Sequence, residues 1–413
     1  MDVHEPEAAE EAVPASERLL VLGLSALQFV HVLEFMIVMP LGPDLGRALG
    51  VPAEKLGIFG GAYTLAAFFA GLAGSLVLDR FARRQALLWS GVAMVVATAL
   101  CGLATGAASF LTFRILAGIA GGPVTALAVA LVADVVPLKR RGRAMGTLLG
   151  AFSVASILGV PAALMVANLA GWPAPFFATA ALGALVLPLA MRGIPTSAPP
   201  PVRSPSAILA GFGNLVRRPE AMAGLLMTLT ASAGSFALIP NLSAYLQHNL
   251  GLPRTDLPGV YLLGGVLTFL GMQATGRIVD RLGAPGPAWA ITAGFVGLLS
   301  VAFLREPAGW PPALVGALFM FCNGTRVVTT GTMSTRIPRP EERAGFSSLQ
   351  SAVQNLGSAL GAAVGTLFLA SRPDGSLTGI PGLTTVTIVL AMSVPALLTW
   401  LDRRVGQEVP NRP

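Results

Sequence analysis

The stretch "LVLDRFARR", residues 76–84, decides the fold, because a near copy, "RIVDRLGAP", recurs at 277–285. Asp79 and Asp280 stand 201 residues apart. A second pair, "RAMGTLLGAFS" from Arg143 and "RAGFSSLQSAV" from Arg343, is offset by 200. The first apolar runs of the two halves begin about 202 residues apart, so three offsets agree on one parallel internal duplication. Each copy of the Asp-Arg pair sits just past the end of a long apolar run, as a loop between two membrane-crossing helices would.

Composition points the same way. Of the 413 residues, 54% are hydrophobic and 11% charged, and the mean hydropathy is +0.72. Soluble domains carry about 25% charged residues, so this chain cannot cover itself with a water-soluble surface. Apolar runs long enough to cross a bilayer recur near 19–41, 56–78, 86–107, 110–134, 144–168, 174–192, 221–247, 257–279, 286–304, 312–334, 344–370 and 381–401. The expected fold class is an all-α membrane protein of twelve transmembrane helices, arranged as two six-helix pseudo-symmetric bundles. Cys101 and Cys322 lie inside apolar runs, a pattern that implies neither a disulfide framework nor a metal site.

The net charge of +7 does not suggest nucleic acid, because the arginines cluster between apolar runs. With the N-terminus inside, 20 of the 27 basic residues fall in cytoplasmic segments and five in outer loops. That bias predicts both termini in the cytoplasm. The expected organisation is an N-terminal tail (1–18), a first bundle (19–192), a linker (193–220), a second bundle (221–401) and a C-terminal tail (402–413). The acidic first 18 residues lack the basic region and cleavage site of a signal peptide. The linker holds four prolines between 195 and 201, then an amphipathic "SAILAGFGNLV", which suits a short helix on the membrane surface.

Polar groups at lipid depth need a partner or a water-filled cavity, so their distribution shows which helices face a pathway. The first span carries Gln28, His31 and Glu34 at a spacing of three, roughly one helical stripe. Arg114 lies in the fourth span, with Asp134 at its cytoplasmic end. Asn323 and Arg326 lie in the tenth, and Gln350 and Gln354 in the eleventh. Apart from Arg192 at the cytoplasmic end of the sixth, the third, sixth, ninth and twelfth spans have no charge and no side-chain amide, which suits them to lipid contact. Glu34 and Arg114 match in depth, so they are expected to pair. A guanidinium does not give up its proton, so Glu34 is the expected proton carrier and Arg114 its partner. His31 would relay protons, contact substrate or only hydrogen-bond. Gln28, Asn323, Arg326, Gln350 and Gln354 are candidate substrate contacts, with packing as the competing reading. Arg326 would take an anionic group or cap a carbonyl. The glycine series Gly142, Gly146, Gly150 and Gly357, Gly361, Gly365 are expected to serve close helix packing.

"SLVLDRFARR" (75–84) and "GRIVDRLG" (276–283) resemble the loop motif of the major facilitator superfamily, Gly-x-x-x-Asp-Arg-x-Gly-Arg-Arg. Ser75 and Ala82 stand where glycines are usual in the first copy. "RILAGIAGG" (114–122) resembles the fourth-helix motif of proton-coupled members, with Ala117 replacing a common glutamine. "LGVPAALMVANLAGW" (158–172) resembles the fifth-helix segment of efflux members. Val160 separates Gly159 from Pro161 there, and with "LEFMIVMPLGPDL" (33–45) this is closer to the arabinose- and sugar-efflux-like branch than to other drug:proton antiporters. The resemblance implies two halves rocking around a central site, with Asp79, Arg80, Arg83, Asp134, Asp280 and Arg281 gating the cytoplasmic side.

The expected function is proton-coupled efflux of a small amphipathic, drug-like or sugar-like compound by a monomer in the inner (plasma) membrane. The partners would be substrate, protons and the bilayer, with no nucleic acid and no cofactor beyond the proton gradient. The alternatives are an uncoupled facilitator or importer, or a membrane sensor on a transporter fold. No enzymatic activity is expected.

Overall fold

In lipid every backbone N–H and C=O must be satisfied within the segment, which leaves continuous helices as the spanning elements. The computed structural model describes residues 14–77, 81–195, 205–305, 309–339 and 342–408. The first half comprises α1 (Ala15–Met36), a short α2 (Gly42–Leu49), α3 (Gly57–Val77), α4 (Arg83–Gly102) and α5 (Ala107–Val135). It continues with α6 (Leu138–Val154), a π turn at Ala155–Gly159, α7 (Val160–Ala170) and α8 (Ala174–Gly193). After α9 (Pro205–Arg217) the second half follows. It comprises α10 (Pro219–Leu238), the one-turn α11 (Leu242–Ala244), α12 (Leu257–Leu282), α13 (Pro285–Ala302), α14 (Pro312–Arg336), α15 (Arg343–Phe368) and α16 (Ile380–Glu408). A two-residue antiparallel ladder, β1 (Ala370–Ser371) with β2 (Leu377–Thr378), is the one departure from helix among the described elements.

Eleven helical stretches among the described residues are long and apolar enough to cross a membrane. The twelfth long helix, α15, carries Gln350, Gln354 and Asn355 and is wedged between α3 and α10. Helix ends follow local chemistry: α7 and α12 stop at Gly171 and Gly283, whose φ values of 81° and 78° lie where a side chain would be strained. The seventh expected span is not one smooth helix. After α10 it tightens into a 3-10 turn at Ile239–Asn241 and widens into a π turn at Tyr245–Asn249.

Glycines set the helix spacing. A Cβ at Gly361 of α15 would lie 2.2 Å from the carbonyl oxygen of Ala233 on α10, and one at Gly357 would lie 2.6 Å from that of Leu229. The second and fourth helices of each half use the same device. A Cβ at Gly118 of α5 would lie 2.3 Å from the Tyr63 carbonyl oxygen of α3, and one at Gly324 of α14 would lie 2.1 Å from Thr268 Cγ2 of α12. The other glycine series departs from expectation. Gly142, Gly146 and Gly150 of α6 have nothing within 4 Å of a Cβ, so they draw no helix close. Periodic spacing supplies a small face, but a neighbour must be there to use it.

The two halves seal against each other at the end away from the α1 start and the α16 finish. There Arg254 reaches across to Asp44 at 2.6 Å. The Ser371 hydroxyl donates to the Glu54 carboxylate, and the Glu54 N–H donates back to Ser371 Oγ at 3.3 Å. A Cβ at Gly57 of α3 would meet the Ala362 carbonyl oxygen of α15 at 3.1 Å. At the opposite end, the ion pairs among the described residues stay within one half: Arg83–Asp134 and Arg140–Glu17 in the first, Arg218–Glu342 and Arg336–Asp402 in the second.

Two outcomes follow from this packing. Gly361→Ala forces a methyl onto backbone and should cost about 1–3 kcal/mol of stability. Gly146→Ala should be neutral or stabilise by about 0.5–1 kcal/mol, and thermal unfolding of the two purified variants reads the contrast. Cysteines at positions 54 and 371 should form a disulfide under mild oxidation in the resting protein. A pair that stays reduced while each single cysteine is reactive contradicts the sealed end.

Candidate functional site

The polar stripe of α1 meets α5 in antiparallel register. Glu34 forms an ion pair with Arg114, and both side chains are fully buried. One turn on, His31 faces Gly121, where a Cβ would lie 3.0 Å from His31 Nδ1 and 2.6 Å from the Tyr63 hydroxyl. A turn further, the Thr125 hydroxyl donates to Gln28 Oε1 at 3.0 Å. The glycines of "RILAGIAGG" thus have a physical job: Gly118 and Gly122 let the α3 backbone approach, and Gly121 leaves room for the His31 and Tyr63 side chains.

Tyr63 of α3 completes the cluster. Its ring lies 4.4 Å beneath the Arg114 guanidinium carbon, a cation–π contact worth about 2 kcal/mol where water is excluded. Its hydroxyl lies 3.4 Å from His31 Nδ1. Oε2 of Glu34 and Nε and Nη2 of Arg114 have no hydrogen-bond partner among the described residues. The pair is therefore closed by one strong bond and a ring face, with capacity to spare. His31 is half-buried while Glu34 and Tyr63 are buried, so the cluster meets its surroundings through the imidazole. Phe35 stacks toward Tyr63 at 5.3 Å and toward Phe236 of α10 at 5.9 Å, which carries the contact into the second half.

Sequence reasoning did not single out Tyr63 or Phe236. For Tyr63 a signal existed: it lies six residues into α3, and Arg114 lies seven residues into α5, both counted from the sealed end. At 1.5 Å per residue they share a depth.

The remaining candidates do not join this cluster. Arg326 of α14 is 5% exposed, its guanidinium carbon lies 5.0 Å over the Phe295 ring of α13, and none of its three guanidinium nitrogens has a hydrogen-bond partner among the described residues. Asn323 accepts from the Ser235 hydroxyl at 2.7 Å and donates to the Phe319 carbonyl at 3.1 Å. Gln350 donates to Ser334 Oγ at 2.7 Å and Thr228 Oγ1 at 3.2 Å, tying α15 to α14 and α10. Gln354 is exposed. Gln28 stays with Thr125 in the first half, so the five expected substrate contacts are spread over both halves.

Of the gate candidates, Arg83 pairs with Asp134 at 2.9 Å, joining α4 to α5. Asp79 and Arg80 lie outside the described residues, and Asp280 and Arg281 are exposed at the end of α12. Gly159 and Pro161 shape the π turn between α6 and α7. Pro161 lacks an N–H and its ring crowds the carbonyl four residues back, so the ladder widens just before it. A Cβ at Gly159 would lie 3.0 Å from Leu33 Cδ1, which sets α1 against this turn.

Among the described residues, twelve long helical stretches in two half-bundles, with charge pairs at their ends and a buried ion pair inside one half, define a multi-pass membrane transporter. The chain belongs to the Major Facilitator Superfamily, whose family model matches residues 24–362. It is 26% identical over 377 residues to the inner membrane transport protein YdhP of Escherichia coli (strain K12), covering 89% of this chain and 92% of the relative. It is 27% identical over 354 residues to a chloramphenicol resistance protein of Streptomyces lividans, covering 84% and 86%. With the purine ribonucleoside efflux pump NepI of Shigella dysenteriae it shares 25% over 362 residues, covering 83% and 84%. Among solved structures, a bacterial homolog to the human lysosomal transporter Spinster superposes with a TM-score of 0.68 at 18% identity, over 95% of this chain and 96% of that one. The nucleoside transporter NupG superposes at 0.67 and 13% identity, over 93% and 99%. Both likenesses are of fold. The protein is a transporter, not an enzyme.

Removing one partner of a buried ion pair costs about 3–5 kcal/mol, because the other charge is left uncompensated. Arg114→Met should therefore destabilise the protein by about that much. The double variant Arg114→Met with Glu34→Gln should recover most of the loss. Additive losses in thermal unfolding would show that the two side chains do not depend on each other.

Proposed function

We infer that the chain is a secondary active transporter that exports a small amphipathic, drug-like or sugar-like compound in exchange for protons, by alternating access. The observation that carries this reading is the fully buried Glu34–Arg114 pair. An ionised carboxylate at lipid depth is expensive without a use, and Arg114 cannot release a proton. Protonating Glu34 would free the guanidinium and break a contact that holds α1 to α5. The half-buried His31, beside the Tyr63 hydroxyl, supplies the proton's entry. Outward transport is supported by relatives named as an efflux pump and a resistance protein.

The same reading places both termini in the cytoplasm, in an inner (plasma) membrane, on the basic-residue bias. The sealed end is then the outer one, and the conformation is the cytoplasm-facing one. In the outward-facing state the Asp44–Arg254 bridge must part, and the ends bearing Arg83, Asp134, Asp280 and Arg281 must approach. Charge-assisted bonds made in one state only are the ordinary means of biasing such an exchange. Arg326 and Asn323, with Gln28, Gln350 and Gln354, would contact the substrate, with Arg326 taking an anionic or strongly accepting group.

The test uses purified protein in proteoliposomes with an imposed pH gradient. A thermal-shift screen that includes chloramphenicol and a purine ribonucleoside supplies the transported probe. Glu34→Gln should lose gradient-driven uphill accumulation of that probe and keep part of its exchange across the bilayer. Unchanged accumulation in Glu34→Gln removes proton coupling through this residue; an unaltered protein that only equilibrates the probe, whatever the pH gradient, is an uncoupled facilitator.

A further inference from the structure

A groove of about 600 Å³ runs along the outer face of the first half, between α4 and α8. Its walls are apolar: Leu88, Val92 and Val96 from α4, and Ala184, Leu187 and Pro188 from α8. Two arginines stand at its mouth, Arg84 in the first turn of α4 and Arg192 in the last turn of α8. Among the described residues no carboxylate lines it. Arg84 Nη2 reaches across to the Met191 carbonyl at 3.4 Å, which holds one cation at the seam between the helices.

The dimensions fit one leaflet. From Arg84 to Val96 is 12 residues, about 18 Å of helix at 1.5 Å per residue. Half of a hydrocarbon core is about 15 Å. The groove therefore starts at the level of the headgroups and ends near the membrane middle. Its floor is where α4 and α8 close up: a Cβ at Gly91 would lie 2.7 Å from Leu187 Cδ1, and one at Gly183 would lie 2.7 Å from Val95 Cγ2. A neighbouring groove between α1 and α6 also has arginines, Arg18, Arg140 and Arg143, but its wall includes Glu17. Glu17 pairs with Arg140 at 2.8 Å and offsets that charge.

We propose that the α4–α8 groove is a binding site for an anionic phospholipid, with the phosphate between Arg84 and Arg192 and one acyl chain along Leu88, Val92, Val96 and Leu187. Neither element suffices alone. The apolar trough accepts the chain of any lipid, and the arginine pair selects the charge. A basic site at a helix seam recognises anionic headgroups in this way.

The proposal is independent of proton coupling, and its test needs no transport substrate. Native mass spectrometry of the full-length protein is titrated with dioleoylphosphatidylglycerol or dioleoylphosphatidylcholine, which share their chains and differ in charge. The first adduct should form at least about tenfold more tightly with phosphatidylglycerol, as two arginines near a membrane surface provide. Arg84→Gln with Arg192→Gln should bring the two lipids to within about twofold. Arg192→Gln alone, on an exposed side chain, should lose part of the preference without touching the helix seam. Ala184→Trp, which fills the trough, should weaken the first adduct of both lipids. Equal binding of the two lipids to the unaltered protein overturns the proposal. So does a preference that survives the double variant, or one that Arg143→Gln removes instead.

Discussion

A guanidinium and a carboxylate at lipid depth must meet, and much of the first half is arranged so that Glu34 and Arg114 can. Their separate burial would be prohibitive, and their union fixes α1 against α5 at one register. The glycines at 118 and 121 of α5 follow from that register, because the pair closes only if α3 approaches near enough to put the Tyr63 ring beneath Arg114. Hydrophobic attraction cannot supply such a constraint in a bilayer, where lipid tails are as apolar as leucine. Small residues let the backbones approach, and polar contacts decide where they stop.

The second half solves a similar problem with different parts. Its helices α10 and α15 are drawn together by glycines, then tied by Gln350 to Ser334 and Thr228. Among the described residues it has no counterpart of the Glu34–Arg114 pair. Arg326 instead lies over the face of Phe295 with no hydrogen-bond partner among the described residues, which is less than a carboxylate gives. The duplication thus preserved the fold and let the polar interiors diverge. An ion pair sits on one side, and a cation with unspent hydrogen-bonding capacity on the other. In the proposed exchange, one half would handle the proton and the other the substrate's polar group.

Much of this was legible in the sequence because the membrane simplifies the reading. Twelve apolar runs, the duplication and the pairing of Glu34 with Arg114 follow from length, charge and depth. What escaped was lateral. Gly142, Gly146 and Gly150 have the same spacing as Gly357, Gly361 and Gly365, yet only the second series meets a neighbour within 4 Å. Periodicity names a face and not what lies opposite it. Tyr63 was hidden for the same reason: a hydroxyl in an apolar run carries no charge to betray its partner. The π turn before Pro161 was legible as a proline in a helix, but which ladder bond would yield was not. Asp79 and Arg80, the residues of the motif that named the fold, lie outside the described residues and remain sequence expectations.

The aromatic contacts give the pair its reach. Tyr63 touches Arg114 on one side and Phe35 on the other, and Phe35 stacks on Phe236 of α10 across the boundary between the halves. Phe35 also directly follows Glu34 in the chain. Any change in the Glu34–Arg114 bond that turns α1 by a few degrees therefore shifts Phe35 against Phe236, at a seam closed further out by Asp44–Arg254 and Glu54–Ser371. Packed rings do not deform continuously. They hold or they part. In the proposed cycle the proton need not act at the distal ion pairs. It needs only to turn one helix, because Phe35, next to Glu34 in the chain, carries that turn to Phe236 of α10.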